Sequence, residues 1–147
     1  MRILIINGPN LNMLGKRAPQ HYGGQTLESI ERTLSREAQE LGYELTFFQS
    51  NHEGEIIDFI QEETSASAGI LINPGALTHY GYSLRDALAD SGLPVVEVHL
   101  SNIYSREDWR RHSVISSVTI GQVTGFKAES YALGLTALTD YIRSQGK

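Results

Sequence analysis

The sequence predicts an α/β protein built on a parallel sheet, and two observations carry that prediction. Five short apolar runs rich in β-branched residues recur along the chain, and the stretches between them place apolar residues three or four apart. Strand and helix therefore alternate, which gives a parallel sheet with helices on both faces and right-handed crossovers. The expected layout is a three-layer sandwich of five strands in the order 2-1-3-4-5, the flavodoxin-like arrangement.

The first run, Ile3 to Ile6, is closed by Asn7-Gly8-Pro9. Residues 8–25 then keep neither period, and an irregular stretch of that length inside a domain is usually functional, often a lid. Leu27, Ile30, Leu34, Ala38 and Leu41 share one helical face, with Thr26 placed to cap the start and Gly42 to stop the end. Leu45 to Phe48 is the second run, and Ile56, Ile57, Phe59 and Ile60 make the next helix. Ile70 to Ile72 precedes a shorter helix through Leu84, Ala87 and Leu88 that ends at Gly92-Leu93-Pro94. Val95 to Val98 is the fourth run, after which Ser105 with Glu107 and Asp108 reads as the capped start of a fourth helix. Val118 to Val123 is the fifth, and Ala128 to Arg143, with Leu135, Leu138 and Ile142 on one face, closes the chain. No repeat, low-complexity tract or linker interrupts this pattern, so residues 1–147 are expected to form one domain with a lid at about 8–25.

Composition narrows the function. A formal charge of -5 without a basic block leaves no electrostatic footprint for nucleic acid or an anionic membrane, so any anionic ligand must be held by particular arginines or backbone donors. The chain has no cysteine, which removes disulfides, thiolate metal sites and a thiol nucleophile. Met1 to Ile6 is cut off too soon for a signal peptide, and no run approaches the length of a membrane span. The expectation is a cytoplasmic protein.

Ligands of open α/β sheets bind beyond the carboxyl ends of the strands, near the switch in strand order. Polar residues succeed the first three runs and fall at the end of the fourth: Asn7-Gly8-Pro9-Asn10, then Gln49 to Gly54, then Asn73 to His79, then Glu97-Val98-His99-Leu100-Ser101-Asn102. Arg106, Arg110 and Arg111 could approach the same rim from the side. Glu97 and His99 lie two apart on a strand and so face one way, as a carboxylate that orients an imidazole or as a buried structural contact. His21 and His52 have no evident task. Gly8 to Arg17 is a poor phosphate loop: six residues separate Gly8 from Gly15, Arg17 stands where a hydroxyl belongs, and Pro9 lacks an N–H.

Other chemistries fit less well. His79 and His99 lie on different strands with no His-Glu-x-x-His helix, so no metal is expected. The three lysines, Lys16, Lys127 and Lys147, lie outside the strands, where burial could have tuned a Schiff base. A flavin would suit the fold but not the crowding of histidine and arginine, and a receiver domain would want acids where Asn7 and Asn73 stand. Proton transfer remains. Arg17 lies five residues before Tyr22 in a segment stiffened by Pro19 and hinged at Gly23-Gly24. A guanidinium beside a phenol favours phenolate and lowers its pKa from about 10, so Tyr22 is a candidate base or else a surface aromatic.

Four blocks carry a resemblance that spans Ile5 to about Gly125: NGPNLNxLGxRxPxxYG from Asn7 to Gly23, QSNHEGE from Gln49 to Glu55, INPGALTH from Ile72 to His79, and VEVHLSNIYxRExxRxxS from Val96 to Ser113. In order and spacing the chain resembles the type II 3-dehydroquinate dehydratases, small cofactor-free enzymes of the shikimate pathway of aromatic amino acid biosynthesis. The resemblance implies a single catalytic domain that converts 3-dehydroquinate to 3-dehydroshikimate and water by anti elimination through an enolate, without metal or nucleotide. It implies that Tyr22 is the base, that Arg17 holds it as phenolate, and that a water ordered by Asn10 donates to the enolate oxygen. His99 would be the general acid, oriented by Glu97. Asn73, His79 and Arg110 would bind ring hydroxyls, and the backbone N–H groups of Leu100 and Ser101 the carboxylate. Asp86 would reach the site of a neighbouring subunit in trimers that assemble into a dodecamer. One departure stands out: where the family commonly has Gly-Phe-Gly-x-x-Gly-Tyr, this chain has Gly125-Phe126-Lys127-Ala128-Glu129-Ser130-Tyr131.

Overall fold

In the computed structural model, which describes residues 1–146, the apolar runs become β1 (Arg2–Asn7), β2 (Glu44–Gln49), β3 (Gly69–Asn73), β4 (Val95–His99) and β5 (Gly121–Thr124). All pair in parallel, in the order β2-β1-β3-β4-β5, as the alternation of strand and helix predicts. The helices are α1 (Pro19–Tyr22), α2 (Leu27–Leu41), α3 (Glu53–Glu63), α4 (Tyr82–Ser91) and α5 (Glu129–Gln145). Lys147, one of the lysines set aside above, lies outside the described residues.

Alternation along the strands sorts side chains into two layers. Ile3, Ile5, Leu71, Val96 and Val98 pack against α2 and α5 through Ile30, Leu34, Leu135 and Leu138; Leu4, Ile6, Ile70, Ile72 and Val95 pack against α3 and α4 through Ile56, Ile60, Leu84 and Leu88. Each large apolar side chain so buried contributes roughly 1.5–3 kcal/mol. β3 reads as an unbroken apolar run as far as Ile72 because both of its faces are covered, and β4, buried likewise, departs from that only at Glu97 and His99. Helix α2 starts where Thr26 accepts a hydrogen bond from the Ser29 N–H at 3.2 Å, and it stops at Gly42, whose φ of 83° is left-handed.

Three expectations need correction. The helix expected from Ser105 is a pair of short 3₁₀ turns, Ile103–Ser105 and Asp108–Arg111. The chain turns extended at His112, and the Ser113 hydroxyl, which accepts from the N–H groups of Ile115 and Ser116, offers the backbone an alternative to helix. The start of the fifth run is another such turn, Ser116–Val118, so β5 begins only at Gly121. Residues 8–25 are less irregular than expected, because they contain a turn at Leu11–Met13 and the single-turn α1. Among the described residues no helix is long and apolar enough to cross a membrane.

Candidate active site

The rim begins where β1 and β3 end side by side, with Asn7 opposite Asn73. The turns leaving these two strands interlock: Gly8 N–H donates to the Asn73 carbonyl at 2.8 Å, and a Cβ on Gly8 would fall 2.3 Å from the Pro74 oxygen. These glycines permit close packing of backbone on backbone, not a phosphate cradle. Beneath them, the buried Tyr131 of α5 donates to Asn7 Oδ1 at 2.6 Å and accepts from Asn73 Nδ2 at 3.0 Å. Burial pushes the Tyr131 phenol well above its ordinary range, against the smaller opposing pull of the Asn73 hydrogen bond, so it stays a donor. With Oδ1 of Asn73 accepting from Gly75 N–H at 3.2 Å, that amide is fixed in one orientation.

At the end of β4, Glu97 and His99 point to the α4 side of the sheet with Val95. Glu97 is fully buried, and its Oε2 accepts from Thr78 at 2.6 Å, from Gln122 at 3.0 Å and from His99 Nε2 at 2.5 Å. Ser113 donates to Oε1 at 2.9 Å. Burial alone would raise the Glu97 pKa, but the hydrogen bond and charge of His99, with the donors Thr78 and Gln122, outweigh it and hold the carboxyl below its usual range. An acceptor-only carboxylate makes Nε2 the protonated nitrogen of His99, and Nδ1 is then the nitrogen that makes no hydrogen bond among the described residues.

Tyr22 closes α1. Its hydroxyl oxygen accepts from Arg17 Nη2 at 3.2 Å and from Arg106 Nη1 at 2.8 Å, and both guanidiniums also lie over the ring, 4.4 and 5.2 Å from its centre. Two positive groups on one phenolic oxygen are an electrostatic complement to phenolate. Arg106 also donates to Ser101 at 3.1 Å, tying this pair to the segment after β4.

His79 donates through Nδ1 to the His112 carbonyl at 2.8 Å, so Nε2 is free to accept. Burial pushes its pKa below the ordinary imidazole range, His99 and Arg110 push the same way, and the His112 hydrogen bond and Glu97 oppose them. The edge of its ring meets Trp109, on which Arg110 also stacks at 4.1 Å. Among the described residues no group of three or more His, Asp or Glu side chains gathers as metal ligands.

These elements enclose a cleft of about 120 Å³, lined by Asn10, Arg17, Tyr22, Asn73, His79, His99, Leu100, Ser101, Arg106 and Arg110, among others. Nine of the eleven residues expected at the site line it; Glu97 stands behind His99, and Asp86, expected at the site of a neighbouring subunit, lies away from this one. Asp86 lies exposed on α4 beside Arg85 at 3.5 Å. Arg111, expected with Arg106 and Arg110, points elsewhere and pairs with Asp108 at 3.6 Å.

A family model described as Dehydroquinase class II matches residues 1–139. The chain belongs to the class II dehydroquinases. It is 54% identical to the 3-dehydroquinate dehydratase of Halothermothrix orenii over 142 residues, covering 97% of this chain and 96% of that one. The Bacillus subtilis 3-dehydroquinate dehydratase is 54% identical over 135 residues, 92% of this chain and 91% of its own. Among solved structures, the type II dehydroquinase of Butyrivibrio crossotus superposes with a TM-score of 0.91 at 44% identity, covering 94% of this chain and 97% of that one. For this class II dehydroquinase, sequence reasoning brought Arg106, and Thr78 within Asn73 to His79, to the rim without giving either a task, and it gave no role to Gln122 or Tyr131. The phenol of Tyr131, on the same helical face as Leu135 and Leu138, was a local sign of a buried partner.

Proposed function

We propose that this class II dehydroquinase removes water from 3-dehydroquinate to give 3-dehydroshikimate, as a hydro-lyase of the shikimate pathway, with Tyr22 as base and His99 as acid. The observation that carries the assignment is the pairing of a doubly guanidinium-bound phenol with a carboxylate-oriented imidazole in one cleft. Tyr22 phenolate takes the proton from the carbon beside the ketone, and the electrons of that C–H bond move onto the ketone oxygen as an enolate. A water ordered by Asn10 donates to that oxygen. When the enolate collapses, the adjacent C–O bond breaks and the Nδ1 proton of His99 leaves with the hydroxyl as water. Base and acid act from opposite sides of the ring, which makes the elimination anti.

Binding uses the free valences. His79 Nε2 accepts from a ring hydroxyl, Asn73 and the guanidinium of Arg110 complete the hydroxyl contacts, and the N–H groups of Leu100 and Ser101 receive the carboxylate. Residues 8–25 act as a lid that carries Arg17 and Tyr22 over the substrate, turning at Gly15 and Gly23, whose φ values of 93° and 80° are left-handed. Exposed Asp86 reaches a neighbouring site, within trimers of a dodecamer. A biosynthetic enzyme of this kind fits the cytoplasm.

Appearance of the product's conjugated enone in the ultraviolet, undiminished by a metal chelator, is the direct test. Borohydride added with substrate should leave activity intact, and a reduced lysine adduct would mean that imine chemistry operates instead.

A further inference from the structure

Among the described residues, Asn10 and Lys127 are the two non-glycine residues with left-handed backbone, at φ 70° and 52°. Asparagine tolerates that region; lysine has no local reason to occupy it. What the conformation achieves is a bridge. The Lys127 N–H donates to the Leu100 carbonyl at 2.9 Å, which anchors its backbone to the segment after β4. Its side chain crosses to the lid, where Nζ donates to the Gln20 carbonyl at 3.0 Å. Its stem lies along Gly23, with Cδ 3.6 Å from where a Cβ on that glycine would stand.

The acceptor is apt. In α1, Ala18 and Pro19 supply the carbonyls for the backbone hydrogen bonds, so the Gln20 carbonyl is an orphan at the end of a single helical turn. A cation there satisfies it and complements the end of the helix. No residue of α1 is fully buried, and beyond the partial packing of Tyr22 on the core its position depends on such side-chain ties.

We propose that Lys127 is a positioning residue, a latch that holds the lid against the segment after β4 and so keeps Tyr22 presented to the cleft. This rests on the assignment of Tyr22 as the base. It predicts that one exposed side chain raises the lid-closed population, the state that holds substrate once it has entered.

Three variants test it. Lys127→Met keeps the stem and loses the donor, Lys127→Arg keeps a donor, and Lys127→Gly loses the side chain but relieves the backbone. The first and third should raise KM about three- to tenfold with kcat within about twofold, as expected for losing one charged hydrogen bond at a solvent-exposed site. Trypsin should cut them after Lys16 and Arg17 at correspondingly faster initial rates. Lys127→Arg should stay within about twofold of the parent on both readouts, and Lys127→Gly should melt at the same or a higher temperature. An unchanged KM and tryptic rate in Lys127→Met would overturn the latch, as would a Lys127→Arg protein as impaired as Lys127→Met. So would losses that merely track a lowered Tm. Near-normal turnover in Tyr22→Phe alongside faster cleavage of Lys127→Met would remove the base assignment while leaving the latch in place.

Discussion

His99 and Tyr22 line the same cleft but are held by different means. His99 is 5% exposed at the end of a strand, and its partner Glu97 is fixed by hydrogen bonds from Thr78, Ser113 and Gln122, drawn from three separate segments. Tyr22 ends a single helical turn with no fully buried residue, leans on the edge of the core, and is steadied by Arg17, by Arg106 from 84 positions away, and by the Lys127 contact to its helix. On the proposed mechanism the acid half is built like a core and the base half like a door. An elimination needs both arrangements: a fixed proton donor keeps its alignment through each cycle, whereas the base must withdraw to let a ring-sized substrate pass.

The sharpest way to break this comparison is at the phenol. Tyr22→Phe should lower kcat roughly 10³-fold with KM little changed, since it deletes the proposed base and not a ground-state contact. Turnover near the parent value would take Tyr22 out of the mechanism. His99→Ala should cost about 10²-fold in kcat, measured in the same assay. Glu97→Gln sharpens the contrast between positioning and chemistry: kcat should fall about 10-fold or somewhat more, because the amide cannot accept from all its donors, while substrate affinity stays close to normal.

Stability provides the smaller tests. Thr78→Val removes a donor from the buried carboxylate and should cost about 1–3 kcal/mol in a denaturant melt, whereas removing an exposed charge on the lid should cost far less. Because Glu97 titrates lower in the folded protein than its ordinary 4.5, the unfolded chain takes up its proton first. Its contribution to stability is therefore complete above about pH 4.5 and is lost as pH falls through the folded value. Melts from pH 7 down to 3 should show that acid slope in the parent and a flatter one in Glu97→Gln.

The strands and long helices were legible because their signal is local. β1, β3 and β4 extend the apolar runs by a residue or two, and the Thr26 and Gly42 caps bound α2 where their chemistry says they should. The stretch from Leu100 to Ile120 was not, because acidic residues after Ser105 imitate a helix start while Ser113 spends its hydroxyl on Glu97 and on its own backbone. The Glu97–His99 geometry came from strand alternation alone. The rest of the site is tertiary: Arg106 meets Tyr22, and Tyr131 meets Asn7, across 84 and 124 positions. No periodicity reports contacts at such separations.

The crowding of hydrogen bonds on Glu97 Oε2 has a further consequence. That oxygen already accepts from Thr78, Gln122 and the imidazole, so it has no room to receive the ring's second proton as well. Every exchange of hydrogen between His99 and its surroundings must therefore pass through Nδ1. On the proposed mechanism each turnover leaves the labile hydrogen on the phenol and a bare nitrogen on the ring, and the next round waits on a transfer between them through solvent or departing product. Slowing of steady-state turnover in heavy water, beyond the slowing of a single enzyme-bound round, is the signature of that recharging step.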